Sequence, residues 1–252
     1  MKEEELFEKR LQDLADASFQ NNQYTFTGFL TPMEYSLFLG IEAQLHYANP
    51  TTFGGTKDCQ RKMLRFGDME RLGYEEPFPI VCLKAVPLAK KFADKLTHRD
   101  FLGALMNLGI ERNQIGDLCV RDNVGYFFVT TRMADYICTK LSRVKHTSVL
   151  CKQTDDIPDD WAGTLVERTI QADSERIDGM VARVYNLSRS QAAEQFRAQK
   201  VFVNGALCEN FSRRVQPGDE ITLRGKGKFI YDGILSQSKK GHYQMAIREY
   251  RG

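Results

Sequence analysis

Residues 175–183, Glu-Arg-Ile-Asp-Gly-Met-Val-Ala-Arg, open the passage that decides the fold. Residues 187–193 (Leu-Ser-Arg-Ser-Gln-Ala-Ala), 200–205 (Lys-Val-Phe-Val-Asn-Gly) and 215–223 (Val-Gln-Pro-Gly-Asp-Glu-Ile-Thr-Leu) complete it. Ile177, Val181 and Val184 recur at i, i+4 and i+7 and mark the apolar face of a helix expected over about 175–186. Arg176 and Arg183 share a neighbouring, wetter face. Ser188 stands three residues before Gln191, a capping box that predicts a second helix over about 189–199. Its N-terminus presents free backbone N–H groups and a partial positive charge, an arrangement suited to a phosphate. Val201 and Val203 alternate as a strand, Asn204-Gly205 favours a tight hairpin turn, and Pro217-Gly218 marks a turn before the alternating Ile221 and Leu223.

This order of blocks resembles the alpha-L RNA-binding domain, first described in a small-subunit ribosomal protein and shared by many translation-related proteins. The resemblance covers about fifty residues followed by a basic tail. It implies RNA-facing positions at Arg176, Arg183, Ser188, Arg189, Ser190, Gln191 and Lys200, with Asn204 and Gly205 structural. Gly225-Lys226-Gly227-Lys228 lacks the strand-then-helix setting of a phosphate loop. Lys226 and Lys228 there read equally well as RNA contacts or as a solvated hairpin.

Charge follows the same division. From Ser174 to Gly252 there are 14 Lys and Arg against 8 Asp and Glu, whereas the preceding residues carry 21 against 25. The C-terminal part is therefore the basic one, as expected of a nucleic-acid face. The 252 residues suffice for two or three small domains, and 42% hydrophobic with 27% charged residues is ordinary for a globular protein. No apolar run approaches the ~20 residues that span a bilayer, and the acidic start is unlike a signal peptide. Six scattered cysteines without Cys-x-x-Cys spacing point to a reduced cytoplasmic protein with no structural metal.

The expected class is α+β in three small domains: 1–76, 77–160 and 161–252. In the first, a charged helix runs over about Lys2–Phe19. Thr31-Pro32-Met33-Glu34 caps a helix reaching about Gln44, and strands follow over His46–Phe53 and Met63–Phe66. The second reads strand (Ile80–Val86), helix (Asp100–Leu108), two strands (Asp117–Val120, Tyr126–Thr130), helix (Met133–Leu141) and strand (Ser148–Lys152). That βαββαβ order predicts a ferredoxin-like plait. An acidic linker, 154–160, leads to the third domain, where Thr164–Gln171 reads as one more strand.

Residues 96–110 with Ile115-Gly116-Asp117 are similar to the middle domain of YlmH-type bacterial proteins, and Gly54-Gly55 with Arg61-Lys62 resembles their N-terminal element. Gln60 stands where that element has Glu, so no carboxylate role carries over. Genes of this family often lie in cell-division clusters. The resemblance implies a ribosome-associated RNA binder docking on rRNA of the large subunit, together with tRNA, in translation quality control. It implies no cofactor, no membrane and no DNA partner. Arg61, Lys62, His98 and Arg99 are secondary candidates for RNA or protein contact.

Catalytic signatures are weak by comparison. The Gly-Arg-Leu-Asp of pseudouridine synthases, the signature elements of tyrosyl-tRNA synthetases and a Rossmann Gly-x-Gly loop are all absent. His98-Arg99-Asp100 matches a kinase triplet without its other motifs, and Thr97 with Asp100 reads better as a helix cap. An RNA-modifying enzyme would have to use Arg61, Lys62, His98, Arg99 and Asp100. A protein adaptor linking translation to cell division is the other alternative. Tyr126, Phe127 and Phe128 read as core packing ahead of base stacking.

Overall fold

The computed structural model describes residues 3–251 except 90, 92, 160, 162, 239 and 240. Lys2 and Asp160, the expected ends of the first helix and of the acidic linker, lie outside the described residues. The chain forms two compact units, Met1–Trp161 and Ala162–Gly252, of mixed α+β structure.

The first unit opens with α1 (Glu3–Asn21), β1 (Thr25–Phe26) and α2 (Pro32–Ile41). Thr31 caps α2 reciprocally: its hydroxyl accepts from the Glu34 N–H at 3.2 Å, and its own N–H donates to the Glu34 carboxylate at 2.6 Å. The helix stops at Ile41, short of the expected Gln44, and tightens into a 3-10 helix over Glu42–Ala48. Asn49, left-handed at φ 49°, ends that turn, so β2 is confined to Thr51–Phe53. With β3 (Met63–Phe66) central, the three strands form an antiparallel sheet ordered β1-β3-β2. Leu11, Ala15, Phe38, Leu45, Leu64 and Phe66 pack its core.

After the short α3 (Met69–Leu72) come β4 (Ile80–Pro87), α4 (His98–Met106), β5 (Ile115–Arg121) and β6 (Val124–Thr130). Then follow α5 (Thr131–Lys140), β7 (Arg143–Val144) and β8 (Thr147–Gln153). These strands form an antiparallel sheet ordered β5-β6-β4-β8-β7. One face packs Leu83, Phe127 and Val129 against Phe101 and Leu105 of α4 and Ile137 of α5. On the other face Cys82, Cys119 and Phe128 pack with Phe29, Cys59, Met63 and Trp161, the Phe128 and Trp161 rings 4.5 Å apart. The expected boundary at 76–77 thus falls inside one compact unit whose two parts share a cluster. Gly55 belongs to that contact. Its φ of 111° is a left-handed value, and a Cβ there would sit 2.4 Å from the Phe128 ring.

The second unit contains β9 (Thr164–Ala172), α6 (Ile177–Val184), α7 (Arg189–Arg197), β10 (Val201–Val203) and β11 (Ala206–Leu207). It ends with β12 (Glu220–Leu223), β13 (Gly227–Gln237) and β14 (Tyr243–Arg251). All pairings are antiparallel in the order β11-β10-β12-β13-β14-β9. The basic tail expected after Leu223 is a long hairpin. Its Phe229, Tyr231, Met245 and Ile247 are buried with Ile177, Val181 and Val184 of α6, and β14 pairs with all nine residues of β9. Asn204 and Gly205, both at positive φ (52° and 83°), turn β10 into β11.

Candidate nucleic-acid interface

In the second unit α6 buries Ile177, Met180, Val181 and Val184, which leaves Arg183 exposed and Arg176 at the helix N-cap. A short turn then sets Ser188 as the cap of α7. Its hydroxyl accepts from the Gln191 N–H at 3.2 Å, its N–H donates to Gln191 Oε1 at 2.9 Å, and Ser190 Oγ lies 3.0 Å away. Arg189 follows with its side chain 93% exposed, 3.5 Å from Asp173. Arg176, Arg183 and Arg189 face a cavity of about 530 Å³ whose lining also includes Asp173, Asp178 and Asn186, whereas Ser188, Ser190 and Gln191 do not line it. Three of the predicted arginines therefore converge on one depression beside the α7 N-terminus, a cationic setting for phosphate oxygens.

Two carboxylates temper that charge. Arg176 donates through Nε and Nη2 to Asp178 at 3.1 and 2.8 Å. Burial opposes ionisation of Asp178, but the Arg176 fork and the Gly179 N–H outweigh it and hold the carboxyl below its ordinary range. Asp173 is shared between Arg189 and His242, whose Nδ1 is 2.5 Å from it. Arg183 has no ion-pair partner among the described residues.

The remaining predicted positions separate. Lys200 and Lys226 are exposed near the paired ends of β10 and β12, where the Arg224 N–H donates to the Lys200 carbonyl at 2.9 Å. Lys228 departs from the exposed loop expected of residues 225–228. Its side chain is 8% exposed, its ammonium donates to Glu220 at 3.1 Å, and it lies 4.1 Å from the Tyr250 ring centroid. The β12–β13 register places it opposite Thr222, on the sheet face away from buried Phe229 and Tyr231, where Glu220 and the Tyr250 ring cover it. Four basic or aromatic neighbours escaped the sequence reading: Phe211, Arg213, Arg214 and Arg224. Phe211 is 51% exposed, with the Arg176 guanidinium 6.0 Å from its centroid.

In the first unit Arg61 is buried, not exposed. It donates to the carbonyls of Ile115 (3.1 Å), Phe29 (2.9 Å) and Arg112 (3.2 Å). The N–H groups of Gln60 and Arg61 donate to Asp117 at 2.5 and 3.1 Å. Lys62 lies 5.2 Å from the Tyr35 ring centroid. Asp100 caps α4 through Thr97, its carboxylate accepting from the Thr97 N–H at 2.9 Å, so its oxygens serve the helix start. His98 opens the same helix on the side of Arg112 and Asp117. Of the five residues of the enzyme alternative, Arg61 and His98 lie toward Arg112 and Asp117, Lys62 lies at Tyr35, and Arg99 and Asp100 line a cavity on the other side of the helix start. Arg99 and Asp100 join Lys140, Arg143 and Lys145 around that second cavity of about 530 Å³, with Lys145 3.9 Å from the Asp100 carboxylate. Phe127 and Phe128 are buried on opposite faces of β6, and Lys84 lies over the Tyr126 ring at 5.1 Å, as core packing requires. Among the described residues no group of three His, Cys, Asp or Glu side chains is placed to hold a metal ion. No helix among them is long and apolar enough to cross a membrane.

Comparison with known proteins gives these surfaces a context. The family described as "Putative RNA-binding domain in YlmH" matches residues 75–156, and the S4 domain family matches residues 175–221. "Ribosome-associated protein quality control protein P2" of Bacillus subtilis is 25% identical over 229 residues, spanning 89% of this chain and 87% of that protein. The solved structure of "Cell division protein ylmH from Streptococcus pneumoniae" is 18% identical with a TM-score of 0.45, covering 61% of this chain and 92% of its own. The YlmH domain in its middle, the S4 domain after it and the Bacillus subtilis relative together support the YlmH-type family of RNA-binding proteins.

Proposed function

We propose that this protein is a ribosome-associated RNA binder that docks on structured rRNA of the large subunit, beside tRNA, in quality control of stalled translation. The observation that carries the reading is the convergence of Arg176, Arg183 and Arg189 on one cavity at the capped start of α7. The quality-control name of the Bacillus subtilis relative supports the setting. Docking, rather than chemistry, is the proposed mode: the arginines neutralise phosphates, and backbone shape sets specificity because duplex RNA shows side chains little sequence.

The middle sheet contributes a second contact. Its strand order β5-β6-β4-β8 is that expected of a ferredoxin-like plait, with β7 added at the edge. The sheet face opposite α4 and α5 is covered by Phe29, Met63 and Trp161, so we place RNA on the helix side, at Arg99, Lys140, Arg143 and Lys145.

Cosedimentation with separated ribosomal subunits across a salt series tests the reading, with wild type beside an Arg176→Ala/Arg189→Ala double variant. Salt-sensitive binding to large subunits, lost in the double variant, is the expected result. Equal binding by the two proteins would show that the assigned surface is wrong.

A further inference from the structure

The loop between β11 and β12 holds an exposed aromatic ring beside the phosphate-facing arginines. Phe211 is 51% exposed, yet its backbone is fixed on both sides. The Asp178 N–H donates to the Phe211 carbonyl at 3.3 Å, and the Ile177 N–H donates to the Arg213 carbonyl at 2.9 Å. The Ser212 N–H donates to Asn210 Oδ1 at 2.9 Å. Arg176 and Arg214 form an isolated antiparallel bridge just beyond. The ring is thus held against the start of α6 although little packs on its outer surface.

Arg176 stands over the ring, its guanidinium held by the two bonds to Asp178. The separation of 6.0 Å is wider than that of closed cation–ring pairs elsewhere in this protein, 3.7 Å for Arg71 and Phe19 and 4.1 Å for Lys228 and Tyr250. A base sandwiched between two flat groups needs about 7 Å, twice the ~3.4 Å stacking rise. A side-chain rotation that opens the gap by about 1 Å would admit one. Arg213 and Arg214, 40% and 73% exposed, stand alongside, each paired with a carboxylate, Asp219 and Glu175.

We infer that Phe211 and Arg176 form a stacking slot for one unpaired nucleobase whose neighbouring phosphate meets the Arg176–Arg189 groove. Aromatic stacking accepts any base because every base has a π face, and the slot would select an unstacked nucleotide at a junction or bulge over a continuous duplex. This rests on the RNA-binding reading above but goes beyond it, since charge alone would bind a backbone without bases equally well.

The probes are a hexamer of riboadenosine and the same ribose-phosphate chain with abasic sites at its two central positions, titrated with the full-length protein at fixed low salt. Wild type is expected to prefer the complete hexamer by about 5-fold or more, the lower end of stacking on one ring. Phe211→Ala should bind the two probes alike, and Phe211→Trp should keep the preference. Melting curves of both variants should match wild type, because the substituted ring is exposed. A wild type that shows no preference or binds neither probe, or a Phe211→Ala variant that keeps the preference, overturns the slot. Loss of ribosome binding in the Arg176/Arg189 double variant would still stand in those cases, so failure of the slot and failure of the docking reading are separable.

Discussion

Asp178 holds Arg176 by a fork of two hydrogen bonds, 3.1 Å from Nε and 2.8 Å from Nη2, at the first turn of α6. One acidic side chain therefore orients a phosphate-facing guanidinium and offsets its charge. Asp178→Asn keeps an acceptor for the fork and removes the negative charge from the groove. RNA affinity is expected to rise a few-fold at low ionic strength, and the gain should fade toward 1 M salt, where the Debye length is about 3 Å. Filter binding across a salt series reads this directly, and a fall in affinity would mean that Asp178 serves orientation alone.

Behind that groove the Tyr231 hydroxyl donates to Glu175 at 2.7 Å, and Arg214 pairs with the same carboxylate. The Tyr231 bond holds the Glu175 carboxyl below its ordinary range, against burial and with help from Arg214. A depressed carboxylate stabilises the fold above its unfolded pKa of about 4.3, and that contribution is lost as pH falls through the lower folded value. Tyr231→Phe should destabilise the second unit by about 1.5–3 kcal/mol at neutral pH, as expected for a buried hydrogen bond to a charged group. The deficit should shrink on acidification below pH 4, measured by urea unfolding followed by circular dichroism.

The positions read correctly in advance are those with local causes. Ser188 and Gln191 cap α7 because both ends of a capping box lie within one turn, and Asn204-Gly205 turns because both residues accept positive φ. Lys226 and Lys228 look alike in sequence, and only the pairing of β12 with β13 sets Lys228 beside Glu220 and Tyr250 while Lys226 stays in the exposed turn. Arg61 and Lys62 pose the same problem, since burial of the arginine depends on carbonyls at Phe29, Arg112 and Ile115, all distant along the chain. The β13–β14 hairpin stayed hidden because register shifts after Tyr231 and Ile234 break its alternation and because its turn is polar.

Lys226 and Lys228 give a matched test of that distinction. Lys226→Ala should leave the melting temperature unchanged while lowering RNA affinity and reducing the log–log salt slope by about 1, the signature of one lost phosphate contact. Lys228→Ala should instead cost about 1–3 kcal/mol of stability, because it strips Glu220 of a donor and removes a shielded cation from the Tyr250 ring. Its salt slope should match wild type. Swapped outcomes would put the covered position beside Glu220 and Tyr250 on the other lysine.

Arg61 makes the strongest structural prediction for the first unit. Its guanidinium spans three carbonyls from two segments, Phe29 and the Arg112–Ile115 turn, a task for which a planar fork is suited and a lysine ammonium is not. Arg61→Met would take that donor from all three carbonyls, although Ile115 also accepts from Arg112, and should cost roughly 3–5 kcal/mol, with Arg61→Lys recovering only part. The protein's single tryptophan, Trp161, is buried against Phe128 in the same unit, so its fluorescence reports unfolding there. The expected result is an early fluorescence transition in Arg61→Met while RNA binding by the second unit persists at temperatures below it. If RNA affinity fell and the transition did not move, Arg61 would be a contact residue after all, and its place among the three carbonyls would have to give way to an exposed one.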